Sequence, residues 1–390
     1  MTQVRRVHRP ATDDSPEFDL AYMRTGPHHS TPLVIIPGGP GLGSIRPYRA
    51  LRTWATWGGL DVIMVEHRGV GRSRNDVRGR PLPHSAMWVR HVVDDLAAVL
   101  DHEGIERVFI AGSSYGSFLA TSFGMRYPER VAGILLDSAL QATEDLQLER
   151  ALIRELFSDA DTPLARSVRQ LLTRTHPGER EVLDVVRAAY ELGGSKLAQA
   201  VVSLRLRHRF SPTWWALERY ALRDESIAHV RGHYEFDIAG AIGFRELNYG
   251  AMPDGLPLDP ALTYAPLADR FPPFLGTPIE LRTDTFEWPL VLLVGDRDIR
   301  TPPAIAARVA SHAPHPTLVE IHNGHSALDT HPAAFLNAAR ELVRGTHGRL
   351  PSMAERLNRL PRRGLAARLP TFLSIAARIE AVLSPRCSAR

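Results

Sequence analysis

The stretch Arg107-Val108-Phe109-Ile110-Ala111-Gly112-Ser113-Ser114-Tyr115-Gly116-Ser117 decides the fold. An apolar run enters Gly-x-Ser-x-Gly, and small and apolar residues of helical character follow. This is the pattern of a nucleophile elbow, a strand-to-helix turn so tight that its serine adopts a strained backbone conformation. The residues two positions either side of Ser114 must have no side chain to collide, and Gly112 and Gly116 meet that need. Ser117 and Ala120 are small enough for the helix to lie close on a sheet. The helix N-terminus beneath Ser114 favours developing negative charge. The bland alternative is an ordinary Gly/Ser turn.

Working outward, the first half of the chain alternates strand and helix patterns. Phe18–Arg24, Pro32–Ile36, Asp61–Glu66 and Val131–Asp137 read as strands, and His91–Glu103 as a helix with Val92, Leu96, Val99 and Leu100 on one face. Continuous apolar strands between amphipathic helices predict an α/β fold with a mostly parallel central sheet covered by helices on both faces. From about Ser138 to Glu287 helical stretches dominate, followed by a Trp/Tyr/Phe-bearing region and Pro-rich loop. Sheet patterning resumes at Pro289–Gly295 and Thr317–Ile321. The expected organisation is a core of residues 1–139 and 286–346, a helical cap inserted over 140–285, and a basic amphipathic tail over 347–390. In that tail Leu350, Met353, Leu357 and Leu360 share one helix face.

Composition narrows the function classes. The 390 residues carry a net charge of +4. Arg349 to Arg390 holds nine arginines and two glutamates, a net of +7, which leaves −3 for the rest. A slightly acidic body argues against nucleic-acid binding. The basic tail packs back on the body, is partly disordered, or contacts a membrane surface or partner. No run approaches the roughly 20 apolar residues of a membrane span, and no secretory leader is visible at Met1–Arg6. The single cysteine, Cys387, cannot form an intrachain disulfide, which fits a cytoplasmic protein.

A serine hydroxyl needs a base, a group that orients the base, and donors for an oxyanion. The chain offers each at a strand end, in the order Ser, Asp, His. The acid is expected at Asp298, in Gly295-Asp296-Arg297-Asp298, with Asp296 as rival. The base is expected at His325, in His322-Asn323-Gly324-His325-Ser326, with His322 as fallback. The oxyanion hole would use the backbone N–H groups of Tyr115 and Gly39. No metal or organic cofactor is required for this chemistry.

These motifs resemble the proline iminopeptidase-like branch of the α/β-hydrolases. The family's His-Gly-Gly-Pro-Gly is similar to Pro37-Gly38-Gly39-Pro40-Gly41, and its Asp-Gln-Arg-Gly-x-Gly-x-Ser to Glu66-His67-Arg68-Gly69-Val70-Gly71-Arg72-Ser73. Its nucleophile motif matches Gly112 to Ser117. The likeness covers residues 17–140 and 286–345. It implies an α/β-hydrolase fold with an inserted helical cap and a cytoplasmic serine hydrolase releasing N-terminal residues from short peptides or amino-acid amides. A carboxylesterase or lactonase acting on a small hydrophobic ester is the alternative, and a non-catalytic small-ligand-binding homologue a remote one. In the family, cap glutamates bind the substrate's amine. Here Arg231 stands where one acid would sit, and Glu246 vaguely resembles an acidic cap segment. Glu246, Trp214 and Tyr234 are accordingly the candidate substrate contacts. The oligomeric state is left open.

Overall fold

The computed structural model describes residues 3–28, 31–222, 229–277, 279–362 and 365–383, so Cys387 lies outside the described residues. The chain begins with β1 (Arg5–Arg9), β2 (Phe18–Thr25), β3 (Leu33–Ile36), α1 (Arg49–Trp57), β4 (Val62–Val65) and α2 (Val89–His102). It continues through β5 (Val108–Ser113), α3 (Tyr115–Arg126) and β6 (Val131–Asp137). Five helices follow: α4 (Asp145–Arg154), α5 (Pro163–Leu172), α6 (Glu179–Arg207), α7 (Pro212–Ala221) and, after the short β7 (His229–Val230) and β8 (Tyr234–Glu235), α8 (Phe236–Leu247). The last part holds β9 (Leu290–Gly295), α9 (Pro303–His312), β10 (Pro316–Ile321), α10 (Ala327–Thr330), α11 (Pro332–Val343), α12 (Leu350–Asn358) and α13 (Leu365–Leu383).

Eight strands form one sheet in the order β1-β2-β4-β3-β5-β6-β9-β10. The run from β4 to β10 is parallel, and β1 and β2 add antiparallel at one edge. The inner strands read as continuous apolar runs because both their faces are covered. In β9, Leu290, Leu292 and Val294 join one cluster with residues of α2, α3 and α9. Val291 and Leu293 point the other way, into a cluster with α1, α11 and α12. The edges differ. β10 alternates exposed and buried residues along its whole length. β1 is Arg-Arg-Val-His-Arg with no fully buried residue. Charged side chains on an edge strand block pairing with another chain, and they also remove the hydrophobic signal that would announce a strand.

A third cluster lies apart from the sheet. It is built from α4 to α7 with Leu258 and Ile299, and Leu373 of α13 joins it. Helix α6 breaks at Gly194, where φ is +67°. The C-terminal segment divides in two. Helix α12 sends Leu350 and Leu357 into the sheet-side cluster, whereas α13 packs on α6 and α7. Among the described residues no helix is long and apolar enough to cross a membrane.

Phe335 of α11 is fully buried against Leu135, Val291 and Leu293 of the sheet. Phe335→Ala is expected to lower the free energy of unfolding by about 3–5 kcal/mol in urea denaturation. Trp57→Ala, at the exposed end of α1, should change it by no more than about 0.5 kcal/mol.

Candidate active site

The site is assembled at the C-terminal ends of the parallel strands, where open α/β sheets carry their ligands. Ser114 sits between β5 and α3 with φ +53° and ψ −123°. Few residues other than glycine hold such a conformation, and it persists only where the surroundings over-determine it. They do so here. A Cβ on Gly112 would lie 2.0 Å from the carbonyl oxygen of Gly116, and one on Gly116 2.2 Å from that of Ile36. The Ser114 N–H donates to the Asp137 carbonyl at 2.9 Å, and the Ser117 hydroxyl donates to the Ser114 carbonyl at 2.6 Å.

His325 and Asp298 come from the loops after β10 and β9. The His325 Nδ1 lies 3.0 and 3.1 Å from the two carboxylate oxygens of Asp298. Asp298 is buried and also accepts from the Thr301 N–H at 3.0 Å and the Thr301 hydroxyl at 2.8 Å. Burial alone would raise the Asp298 carboxyl and lower the His325 imidazole. The charge and hydrogen bond that each offers the other reverse both trends, so Asp298 is held below its ordinary value and His325 above it. The rival pair behaves differently. His322 Nδ1 lies 2.8 Å from Asp296, but that histidine is exposed and its carboxylate also serves the Asn323 N–H. Ser114 and His325 line one cavity of about 1060 Å³.

Several positioning groups gave no sequence signal. Asp137, at the end of β6, is buried and accepts from the Ser113 hydroxyl and from the Ala327 and Leu328 N–H groups. Burial pushes its carboxyl up to about 6, against those three donors. It thereby pins the turn that carries His325 to the strand beside the elbow. Ser138 accepts the Ser326 N–H at 2.8 Å and adds to the same clamp. On the other side, Glu66 takes the Ser44 and Ile45 N–H groups and holds the loop that contains Gly39. The oxyanion candidates are therefore on fixed backbone. Gly38 and Gly39 line the cavity beside Ser114, and Tyr115 opens α3. At Gly39 φ is +125°, and a Cβ there would lie 2.6 Å from the Gly41 nitrogen.

The three expected substrate contacts divide. Tyr234 lines the cavity, stacked with Phe236 at 5.9 Å. Glu246 does not reach it. Helix α8 is buried nearly all round, and the Glu246 carboxylate turns toward α2, where it accepts the Val89 N–H at 2.7 Å. Trp214 is also absent from the cavity wall. It is buried in the α4–α7 cluster, and its indole N–H donates to Glu181 at 2.7 Å. The aromatic wall is made instead by Tyr234, Phe236, Tyr249, Tyr264 and Phe271. Tyr249 and Tyr264 stack at 4.9 Å.

Among the described residues six carboxylates line the wall, and none of them is singled out by the sequence; Glu149 is the one most perturbed. Glu149 of α4 faces the cavity, 3.6 Å from Arg187, and interacts electrostatically with His325 and Asp298. Burial pushes its carboxyl up to about 7, while Arg187 and Arg300 pull it down. In the sequence it sits in Leu-Gln-Leu-Glu-Arg, where helical periodicity alone leaves it on a polar face.

Comparison with known proteins agrees with this architecture. Residues 31–177 match the family described as alpha/beta hydrolase fold. A probable proline iminopeptidase of Leptolyngbya boryana is 30% identical over 117 residues, covering 30% of this chain and 34% of that protein. The proline iminopeptidase of Neisseria meningitidis is 28% identical over 134 residues, 34% of this chain and 37% of that protein. The chain thus spans about a third of the length of these curated relatives. The solved structure of Rv0554 from Mycobacterium tuberculosis superposes with a TM-score of 0.50 at 17% identity, over 87% of this chain and 99% of that one. The protein has the α/β-hydrolase fold, and over about a third of its length it is similar to the proline iminopeptidases.

Proposed function

We propose that the protein is a serine hydrolase working through Ser114, His325 and Asp298 and a covalent acyl-enzyme. The observation that carries this reading is the pairing of buried Asp298 with His325, which opens on the same cavity as a strained Ser114. In the first step the Ser114 Oγ attacks a carbonyl carbon, and His325 Nε2 takes the hydroxyl proton. The N–H groups of Gly39 and Tyr115 hold the oxyanion. A donor of this kind is worth about 3–4 kcal/mol in the transition state. The intermediate collapses, the bond to the leaving group breaks, and His325 returns its proton to the departing amine or alcohol. Water then attacks the acyl ester by the same route, with His325 as base, and Ser114 is released.

The favoured substrate is a short peptide or amino-acid amide with a free N-terminal amine, cleaved as by an aminopeptidase. Glu149 supports this choice, because an ammonium group brought beside it would keep its carboxylate ionised. The helices between β6 and β9 would act as the cap. The second reading, a small hydrophobic ester or lactone, draws on the tyrosine and phenylalanine wall and on the withdrawal of Glu246 from the cavity.

Two results separate these readings. If the amine is recognised, Glu149→Gln should raise KM for proline p-nitroanilide about tenfold or more, in line with losing a charge-assisted hydrogen bond of about 1.5–3 kcal/mol. Hydrolysis of p-nitrophenyl acetate, which has no amine, should be unchanged. Strong ester turnover with no anilide cleavage would instead select the ester reading.

The pH profile gives a further test. Catalysis needs neutral His325, whose pKa is raised by Asp298, so kcat/KM on the ester should rise with pH and level off above the ordinary imidazole value of about 6.5. Asp298→Asn should move that limb to lower pH and reduce kcat about 10⁴-fold.

A further inference from the structure

Helix α13 is apolar on two sides. Leu373 and Ala377 face inward and are buried, Leu373 within the α4–α7 cluster. At about 100° per residue, Phe372, Ile375, Ile379, Val382 and Leu383 fall together on the opposite side. All five are exposed, from Ile375 at 48% to Val382 at 83%. Single exposed apolar residues are ordinary, but an aligned stripe on one helix marks an interaction surface. The charges exposed on this helix are basic. Arg368 and Arg378 are exposed on this helix. Its one acid, Glu380, is turned away and accepts the Thr213 N–H at 3.1 Å. That bond ties α13 to the start of α7, where Phe210 is 74% and Trp215 52% exposed. The Arg219 guanidinium lies 5.0 Å over the Trp215 ring, and Arg207 and Arg209 are exposed just before Phe210.

We propose that the outer face of α13, with the start of α7, docks on an anionic lipid bilayer, α13 lying in the plane of the interface. An apolar stripe edged by arginines and by an exposed tryptophan has the chemistry for this. The stripe enters the acyl boundary, the ring sits at headgroup level, and the guanidinium groups meet lipid phosphates. Arg207, Arg209, Arg219, Arg368 and Arg378 are exposed on or beside this face, so a negative surface attracts it. A second copy fits less well. A two-fold interface sets a patch against itself, and Arg368 and Arg378 would then meet their own copies with no outward acid on this helix to pair with.

The surface adjoins the catalytic cavity. Arg362, just before α13, and Ala367 and Pro370 within it line that cavity. Helix α13 is therefore the partition between cavity and lipid, about 10 Å thick, and docking sets the cavity where apolar substrates concentrate. The inference stands apart from the hydrolase assignment and holds or fails without it.

The full-length protein would be sedimented with vesicles of equal parts phosphatidylglycerol and phosphatidylcholine, and with phosphatidylcholine vesicles alone. Strong binding to the mixed vesicles is expected, at least about tenfold weaker on the neutral ones. The same loss is expected for Ile375→Asp/Ile379→Asp, whose circular dichroism and Tm should match the parent because both positions are solvent-exposed. Trp57→Asp, an exposed aromatic on α1, should bind as the parent does. No binding to mixed vesicles overturns the proposal. So does equal binding by the double variant, which would leave charge alone as the cause. A dimer in sedimentation velocity that the double variant dissolves, without vesicle binding, would assign the face to a second copy.

Discussion

The close approach of α3 to the ends of β3 and β5 is the constraint on which the site depends. Two backbones meet where Gly112 and Gly116 have no room for a methyl group, with carbonyl oxygens 2.0 and 2.2 Å from where a Cβ would be. That contact drives Ser114 into its positive-φ conformation at the cavity wall. The strain is retained because the apolar faces of β5 and α3, with Phe118, Leu119 and Phe123, are locked into the core on either side of the turn. Packing energy thus holds a backbone geometry that a free peptide would leave at once.

Around that turn, polar groups do locally what packing does globally. Asp137 and Ser138 bind the backbone of the His325 turn, Thr301 binds Asp298, and Glu66 binds the loop of Gly39. Asp137, Ser138 and Glu66 are buried acceptors whose donors come from another strand's loop, whereas Asp298 accepts from Thr301 of its own loop. Removing one partner strands the other in a low-dielectric interior, which costs more than the hydrogen bond itself contributes. The loops after β3, β5, β6, β9 and β10 therefore hold one another, and Ser114, Asp298 and His325 inherit their rigidity.

The sequence was legible where chemistry requires both a residue type and a chain position. Ser114 follows an apolar strand and is framed by glycines. Asp298 and His325 follow the last two strands, and burial separates them from Asp296 and His322, which spacing alone could not do. Legibility failed where only orientation matters. Glu246 lies on α8, where eleven of twelve residues are buried, so periodicity there points to no single face. Trp214 and Trp215 are adjacent, yet one fills the core between the inserted helices and the other faces solvent. Glu149 carries no signal in the sequence, because the cavity it faces is made by elements distant in sequence. β1 was not read at all, since its arginines serve the edge and not the core.

The central claim is that Ser114 is an activated nucleophile, and a fluorophosphonate probe followed by mass spectrometry of the adduct tests it most directly. The account predicts labelling at Ser114 that disappears in His325→Ala while the fold is kept. Folded protein that takes up no label, or labels at another serine, would contradict it.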